Sequence, residues 1–356
     1  MPLVVRPRPY VVPEYSLTGD MLAYLTCGLQ YRYHSKGSLP PSTPVQLWFG
    51  EFIHSVMEEA YRRWQQGGSN QRFPWNWIPE IREIELEIGR RLRAKGLYPT
   101  PGLFCPYDAS ASTIGLCRDR RHPHKLIASS RAEASINTWA PHLFPLIDES
   151  EVRLKGIREM PNYQPGVSRS NYYGIAGVAD VITSVRLQGS TPGNLILQRL
   201  REDSQVQAIV NALGATDYEI IIDYKGMRRP SINIPQWQHH EWQIHTYAWL
   251  RSQLSQSRPI VAGILFYFDE LSLSGTDMQD LRADVVNNST DIMPQGQDES
   301  RIRNWRRNSP VPTLSRALRE ERSIRIIPCH PSTLNSSLQR FDGVVTCIEN
   351  CVISEM

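Results

Sequence analysis

The sequence predicts an α/β fold with helices on both faces of a sheet, because a helix, strands, a helix and a further strand follow one another. Four segments rich in β-branched and apolar residues have the pattern of strands. They are residues 151–157, 172–185, 218–225 and 259–268. Other segments carry apolar residues at spacings of three and four, as helices with one buried face do. They are residues 45–66, 78–95, 131–147 and 235–253.

The predicted core occupies only part of the chain, and most helices outside it are expected to be accessory. The segments are an N-terminal helical part (1–66), a helical and irregular insertion (67–150), the core (151–275) and a basic, cysteine-containing C-terminal segment (276–356). The first 15 residues, rich in Pro and Val, are expected to run as an extended arm. A second insertion, 186–217, must loop out between two strands.

Composition is that of a soluble globular protein, with 40% hydrophobic and 21% charged residues among 356. The net charge of +3 does not by itself indicate a nucleic-acid partner. Eight arginines against two glutamates between Arg301 and Arg325 form a basic stretch, which is either a nucleic-acid contact or a solvated helix face. No apolar run spans a membrane and no secretory signal is visible, so we expect a cytoplasmic protein with reduced thiols and no membrane partner.

The segment Ile220–Lys225 places a carboxylate and an ammonium at the end of an apolar strand. Side chains two apart in a strand share a face, so Asp223 and Lys225 project together and Tyr224 points to the opposite side. Charges at such a position are costly to bury without a partner. The pair is therefore either a salt-bridged strand end or the centre of a metal site.

Asp180 interrupts a second apolar run, Gly-Ile-Ala-Gly-Val-Ala-Asp-Val-Ile. If its strand pairs with the Asp223 strand, the two carboxylates approach closely, and they repel each other unless a cation lies between them. Oxygen ligands of this kind suit Mg²⁺ or Mn²⁺. The alternative is that Asp180 is a turn residue.

Two helical pairs accompany the acids. His54 and Glu58 are four apart and share a helix face. An imidazole next to carboxylates favours Mn²⁺, whereas the plainer interpretation is a hydrogen-bonded core histidine. Gln243 and Tyr247 are also four apart, on the helix after Lys225, and can hydrogen-bond a phosphate or hold the lysine and a water. They can equally form a half-exposed helix face.

Four short motifs thus follow one another in order. They are Gly50-x3-His54-x3-Glu58, Gly177-Val-Ala-Asp180, Asp223-Tyr-Lys225-Gly and Gln243-x3-Tyr247. The set resembles the RecB-like branch of the PD-(D/E)XK nuclease superfamily, which includes RecB and AddB nuclease domains and CRISPR-associated RecB-like exonucleases. The opening segment, from Ser16-Leu to Cys27-x3-Tyr31-x-Tyr33, resembles the start of the same family. The resemblance covers residues 16–64 and 151–268.

The resemblance implies a restriction-endonuclease-like core with a mixed central sheet. It implies that His54, Asp180, Asp223 and the carbonyl of Tyr224 bind Mg²⁺ or Mn²⁺, and that Lys225 is the catalytic lysine. Gln243 and Tyr247 would support the site near the DNA.

The function so implied is a metal-dependent deoxyribonuclease acting on DNA ends or single strands, in recombination, repair or defence against foreign DNA. A helicase or another protein is an expected partner. The rival hypothesis is a non-catalytic subunit with a nuclease-like fold that binds DNA ends or serves as a scaffold.

Members of the family often hold a 4Fe-4S cluster on one N-terminal and three C-terminal cysteines. The residues that match by count are Cys27, Cys329, Cys347 and Cys351. Their spacing departs from the compact family pattern, so a version without a cluster is the alternative.

Two further groups have competing interpretations. Cys105, Cys117, His122 and His124 could form a zinc site, although the spacing is uncommon and ordinary loop residues are favoured. Three tryptophans on the Gln243 helix could stack on unpaired bases, although packing within the protein is favoured. They are Trp237, Trp242 and Trp249. Three histidines of the same region are expected at the surface or behind the site. They are His239, His240 and His245.

Overall fold

A computed structural model describes residues 11–33, 45–67, 72–107, 124–186, 193–214 and 216–354. Within these residues, strands form one mixed six-stranded sheet. The strands are β1 (Glu14–Ser16), β2 (Ile147–Glu159), β3 (Tyr172–Arg186), β4 (Asp217–Lys225), β5 (Ile260–Tyr267) and β6 (Ile324–Pro328). The predicted α/β class with a mixed sheet flanked by helices is confirmed.

The α-helices follow the predicted pattern and extend it. They are α1 (Ala23–Thr26), α2 (Gly28–Tyr31), α3 (Val45–Gly67), α4 (Arg82–Ala94), α5 (Ile127–Leu143), α6 (Leu195–Glu202), α7 (Ser204–Leu213), α8 (Pro235–Ser252), α9 (Gly275–Val286), α10 (Gly296–Asn304), α11 (Arg316–Ser323) and α12 (Pro331–Ser354). No described helix is long and apolar enough to cross a membrane.

The sheet centres on β3 and β4. The long hairpin of β2 and β3 is antiparallel, β4 lies antiparallel to β3, β5 lies parallel to β4, and β6 closes the path antiparallel to β5. The short β1 runs parallel to β3. The four strands expected from the sequence are all present, with ends shifted by only a few residues.

Alternate residues of β4 face two separate cores. Ile220 and Ile222 pack in the core formed with α3, α4 and α5, whereas Ile221 packs in the core formed with α8 and α12. Each of these isoleucines is fully buried. Helices therefore cover both faces of the sheet, as a strand buried on both sides requires.

The structure corrects the expected division into core and accessory parts. The C-terminal segment contributes β6 to the sheet and packs α12 against α8. The extended arm contributes β1. The insertion after β3 forms α6 and α7, which pack in the same core as α3. Strands of three and five residues were missed because their pairing is non-local and short apolar runs carry little signal.

The basic C-terminal stretch has five exposed arginines and two buried ones among its eight. Arg322 is 1% exposed and binds the carboxylate of Glu270. Arg325 is also buried and pairs with Glu241. The stretch is thus not a simple solvated helix face, because Arg322 neutralises the buried Glu270 and Arg325 pairs with the partly exposed Glu241.

Candidate functional site

The candidate site lies at a gap in the sheet beside β3. Strand β2 pairs along one edge of β3 from Tyr172 to Thr183. On the other edge, β1 pairs with Gly174–Ala176 and β4 with Val181–Arg186. Among the described residues, therefore, no strand pairs with residues 177–180 on that edge. The carboxyl ends of β1 and β4 face each other across this gap.

Asp180 sits where β3 loses its regular alternation. Ala179 and Ile182 are three apart, yet both pack in the core on the α8 side, whereas Val181 packs on the α3 side. Glu151 of β2 lies opposite Asp180, between the paired residues Ser150 and Val152. Its φ is 53°. The irregularity directs Asp180 toward helix α3, since its Oδ1 lies 3.2 Å from Nδ1 of His54.

The backbone of β4 holds the other oxygen of Asp180. The N–H of Tyr224 donates to Oδ2 of Asp180 at 2.6 Å. The ring of Tyr224 lies on the α3 side, edge-on to His54 at 5.7 Å between centroids. Tyr224 therefore faces away from the Asp223 side chain, as the strand alternation predicts.

Asp223, Lys225 and helix α8 form a hydrogen-bonded chain. Lys225 Nζ donates to Oε1 of Gln243 at 2.6 Å. Gln243 Nε2 donates to Oδ1 of Asp223 at 2.9 Å and lies 3.2 Å from the hydroxyl of Tyr247. The structure thus brings together all the acid, lysine, glutamine and tyrosine positions that the motifs indicated.

The second oxygen of Asp223 is paired with the ammonium of Lys225. Its Oδ2 is buried and lies 2.6 Å from Lys225 Nζ. Burial raises the pKa of Asp223, and the charge of Lys225 opposes that shift while Asp180 adds to it. Each carboxylate oxygen has two lone pairs, so Oδ2 can accept a metal cation beside Lys225.

His54 is held as the counter-ion of Asp180. Burial by itself lowers the pKa of His54, but the charge and hydrogen bond of Asp180, together with the charge of Asp223, outweigh burial and raise this pKa to about 9. At neutral pH His54 is therefore protonated in the absence of a ligand. As a metal ligand it would have to give up that proton, since only the neutral imidazole coordinates.

Two glycines permit the close approach of the elements. A Cβ on Gly226 would lie 3.0 Å from Cα of Gly50, so the loop after Lys225 touches the first turns of α3. A Cβ on Gly177 would lie 2.5 Å from the ring of Tyr247. Tyr247 can therefore fill the gap in the sheet, where it also hydrogen-bonds the backbone of Val178.

A cavity of about 680 Å³ opens from the site between α3 and the β2–β3 hairpin. We call it the acidic cleft. Its charged lining residues are Glu51, His54, Glu58, Lys95, Glu151 and Asp180. Glu58 shares the cleft with His54 as predicted and pairs with Arg62 at 2.6 Å. Glu51 and Glu151 were missed by the sequence analysis; only the three-residue spacing of Glu51 and His54 could have indicated the first.

The donors at the site fit a hard divalent cation. Carboxylate and carbonyl oxygens with one imidazole suit Mg²⁺ or Mn²⁺, and the buried Asp223 Oδ2, paired with Lys225, has a second lone pair for such an ion. In the part of the chain that the structure describes, no three His, Cys, Asp or Glu side chains converge tightly enough to enclose an ion alone. Water and backbone oxygens would complete the shell, as is usual for Mg²⁺.

The four candidate cluster cysteines lie in different environments. Cys347 and Cys351 are exposed one turn apart on α12, and Cys351 Sγ lies 3.8 Å from the hydroxyl of Tyr24. Cys27 is exposed at the start of α2, where its sulfur accepts from Gln30. Cys329 is buried after β6, and burial raises the pKa of its thiol to about 12. Burial therefore disfavours the thiolate form of Cys329, which is the form that binds iron. The iron–sulfur cluster stays a prediction.

Only half of the group considered as a zinc site lies within the described residues. Cys105 Sγ lies 3.4 Å from Nδ1 of His124, while Cys117 and His122 are outside the described residues.

The tryptophans of α8 pack within the protein, as favoured. Trp242 is buried and donates to the carbonyl of Ser337, Trp237 carries the Arg325 guanidinium over its ring, and Trp249 lies against Gly156. Nearby, His240 and His245 are buried and hydrogen-bonded to Tyr267 and Ser337 rather than exposed, and His239 is half-buried.

No protein-family model matches the chain, and no curated protein matches its sequence.

Proposed function

We propose that the protein is a metal-dependent deoxyribonuclease of the RecB-like PD-(D/E)XK type, which hydrolyses phosphodiester bonds of DNA ends or single strands. Mg²⁺ or Mn²⁺ would be held by His54, Asp180, Asp223 and the carbonyl of Tyr224. The setting would be recombination, repair or defence, with a helicase or other protein as partner.

The observation that carries the proposal is the meeting of motif residues from α3, β3, β4 and α8 at one gap in the sheet. Asp180 and Asp223 are 43 positions apart in the sequence, and both lie against this gap with His54 and Lys225. Two buried acids at one place repel each other unless a cation separates them. His54 and Lys225 each supply one counter-charge here, and a metal ion would be a further cation between the two acids.

The protein's own side chains would act on the substrate as follows. Lys225, fixed by Gln243 and Asp223, would present a positive charge to the phosphate as charge develops on it. Gln243 is itself held by Tyr247, so the ammonium stays in position. When bound, the divalent cation would lower the pKa of a coordinated water and neutralise phosphate charge.

The test is cleavage of labelled single-stranded and duplex DNA by the full chain with Mg²⁺, Mn²⁺ or a chelator. Lys225→Met should lower the rate by at least about 100-fold, the usual effect of removing one transition-state donor. Lys125→Met is the matched control, because Lys125 pairs with Glu133 away from the site. Equal rates for the wild type and Lys225→Met would reject the assignment of Lys225, and a chelator-insensitive rate would reject metal dependence.

A further inference from the structure

A second cavity, of about 390 Å³, lies beside the site on the opposite side of Val178 from the acidic cleft. We call it the basic groove. It is lined by Arg153 and Lys155 of β2 and by Tyr247, the residue that contacts Gln243. Val178, 42% exposed, lines both cavities and forms the ridge between them.

The two cavities carry opposite charge. Glu51, Glu58 and Glu151 line the acidic cleft against one lysine, Lys95. The basic groove has two cations and no acidic lining residue. Packing does not require the two cations of the basic groove, because Arg153 and Lys155 are both exposed. A polyanion extending from the site is therefore repelled along one direction and attracted along the other.

Arg153 and Lys155 are placed to contact neighbouring phosphates. They are two apart on β2 and so project from one face, about 7 Å apart along the strand. Among the described residues no carboxylate pairs with Arg153. Lys155 pairs with Glu14 at 2.8 Å, but both side chains are more than half exposed. Such pairs contribute about 0–1 kcal/mol, so a phosphate can replace Glu14.

We infer that the basic groove is the binding track for the DNA strand on one side of the bond to be cut. Arg153 and Lys155 hold successive phosphates of a single strand that leaves the site over Tyr247. The acidic cleft excludes backbone phosphates from the other side. This inference rests on the proposed nuclease function and specifies which surface of the hairpin its substrate occupies.

The test compares the double variant Arg153→Glu, Lys155→Glu with Arg306→Glu, Arg307→Glu. The control makes the same change of charge in an exposed turn of the C-terminal segment. The probe is a fluorescent single-stranded oligonucleotide, titrated with Ca²⁺ and again with a chelator. The first variant should weaken binding at least about tenfold, and two lost phosphate contacts should reduce the slope of log K against log salt by about 1.4.

Cleavage measured in parallel distinguishes a failure of the binding track from a failure of the proposed nuclease function. The groove variant should raise KM for long single strands with little change in kcat. If its binding and KM equal those of the control, the binding track is wrong, whatever the wild type cleaves. If wild type binds DNA through Arg153 and Lys155 but cleaves nothing with Mg²⁺ or Mn²⁺, the nuclease function is wrong and the track stands. Circular dichroism and melting verify that each variant is folded.

Discussion

The molecule contains two clusters of buried charge that are built in different ways. At Glu270 both oxygens accept hydrogen bonds from Arg322, at 2.8 and 3.0 Å, and the N–H of Arg229 adds a third at 3.0 Å. At Asp223 one oxygen accepts from Gln243, and the other lies 2.6 Å from Lys225 Nζ. The comparison indicates that the first cluster, with three donors, stabilises the fold, whereas the second, with two partners, has more acceptor capacity left for a ligand.

Breaking the Glu270 cluster should have the largest effect on stability. Arg322→Ala would leave a buried carboxylate at Glu270 without its main counter-charge, which typically costs about 3–5 kcal/mol. Urea unfolding of the variant measures the loss. Arg303→Ala, which removes an exposed pair with Glu299, should cost less than about 1 kcal/mol. Equal losses for the two variants would mean that Glu270 is not held as the geometry indicates.

The same kind of change in the candidate site should leave stability nearly intact and remove activity. Asp223→Asn keeps the shape of the side chain and removes a buried charge whose pKa is already raised by burial. We expect cleavage to fall at least about 100-fold. The free energy of unfolding, from the same urea titration, should stay equal to that of wild type or rise. A destabilised but active variant would make Asp223 a structural residue.

Gly177→Ala tests how closely Tyr247 must fill the gap in the sheet. The added methyl would lie 2.5 Å from the ring of Tyr247, so the ring or the strand must move. We expect a loss of about 1–3 kcal/mol, as for other overpacked sites, together with reduced cleavage.

Gly343→Ala is the control for that substitution, since nothing lies within 4 Å of the added atom on helix α12. It should stabilise the protein by up to about 1 kcal/mol. Thermal melting of both variants gives the comparison. An unchanged melting temperature for Gly177→Ala would show that the Tyr247 ring can move away from the added methyl at no cost.

A pH dependence of stability is expected at Asp269, which neighbours Glu270. Burial, opposed by Arg131, raises the pKa of Asp269 from 3.8 to about 7. The folded protein therefore holds this proton more tightly than the unfolded chain, so the stability contribution is full below pH 4 and is lost as pH rises through 7. The slope reaches at most about 1.4 kcal/mol per pH unit.

Asp269→Asn should remove this dependence. Unfolding free energies of wild type and variant, measured between pH 4 and pH 8, should diverge in favour of the variant as pH rises. A constant difference across that range would show that Asp269 is ionised throughout.

The sequence predicts the local parts of this protein better than the long-range ones. Asp223 and Lys225 could be paired because strand alternation alone puts them on one face. The partners of β1 and β6 could not, because pairing between strands that are far apart in the sequence leaves no local pattern. The burial of Arg322 could not be predicted either, because composition does not reveal which acids a helix will contact.

The site shows the same limit. Asp180 could be suspected from its apolar neighbours, but the irregular alternation in β3 that turns it toward His54 could not. Glu151 reaches the acidic cleft through the same irregular point, with a φ that its sequence context does not indicate. The sequence indicates the candidate site residues, and the fold decides which other charges surround them.

The most direct test of the central claim is Mn²⁺ binding followed by unfolding. If Asp180 and Asp223 form a cation site, Mn²⁺ at 100 times its dissociation constant should stabilise wild type by about 2.7 kcal/mol. Asp223→Asn should lose most of that stabilisation, while Lys125→Met should retain it. Equal stabilisation of wild type and Asp223→Asn by Mn²⁺, or none in either, would contradict a cation site at this gap in the sheet.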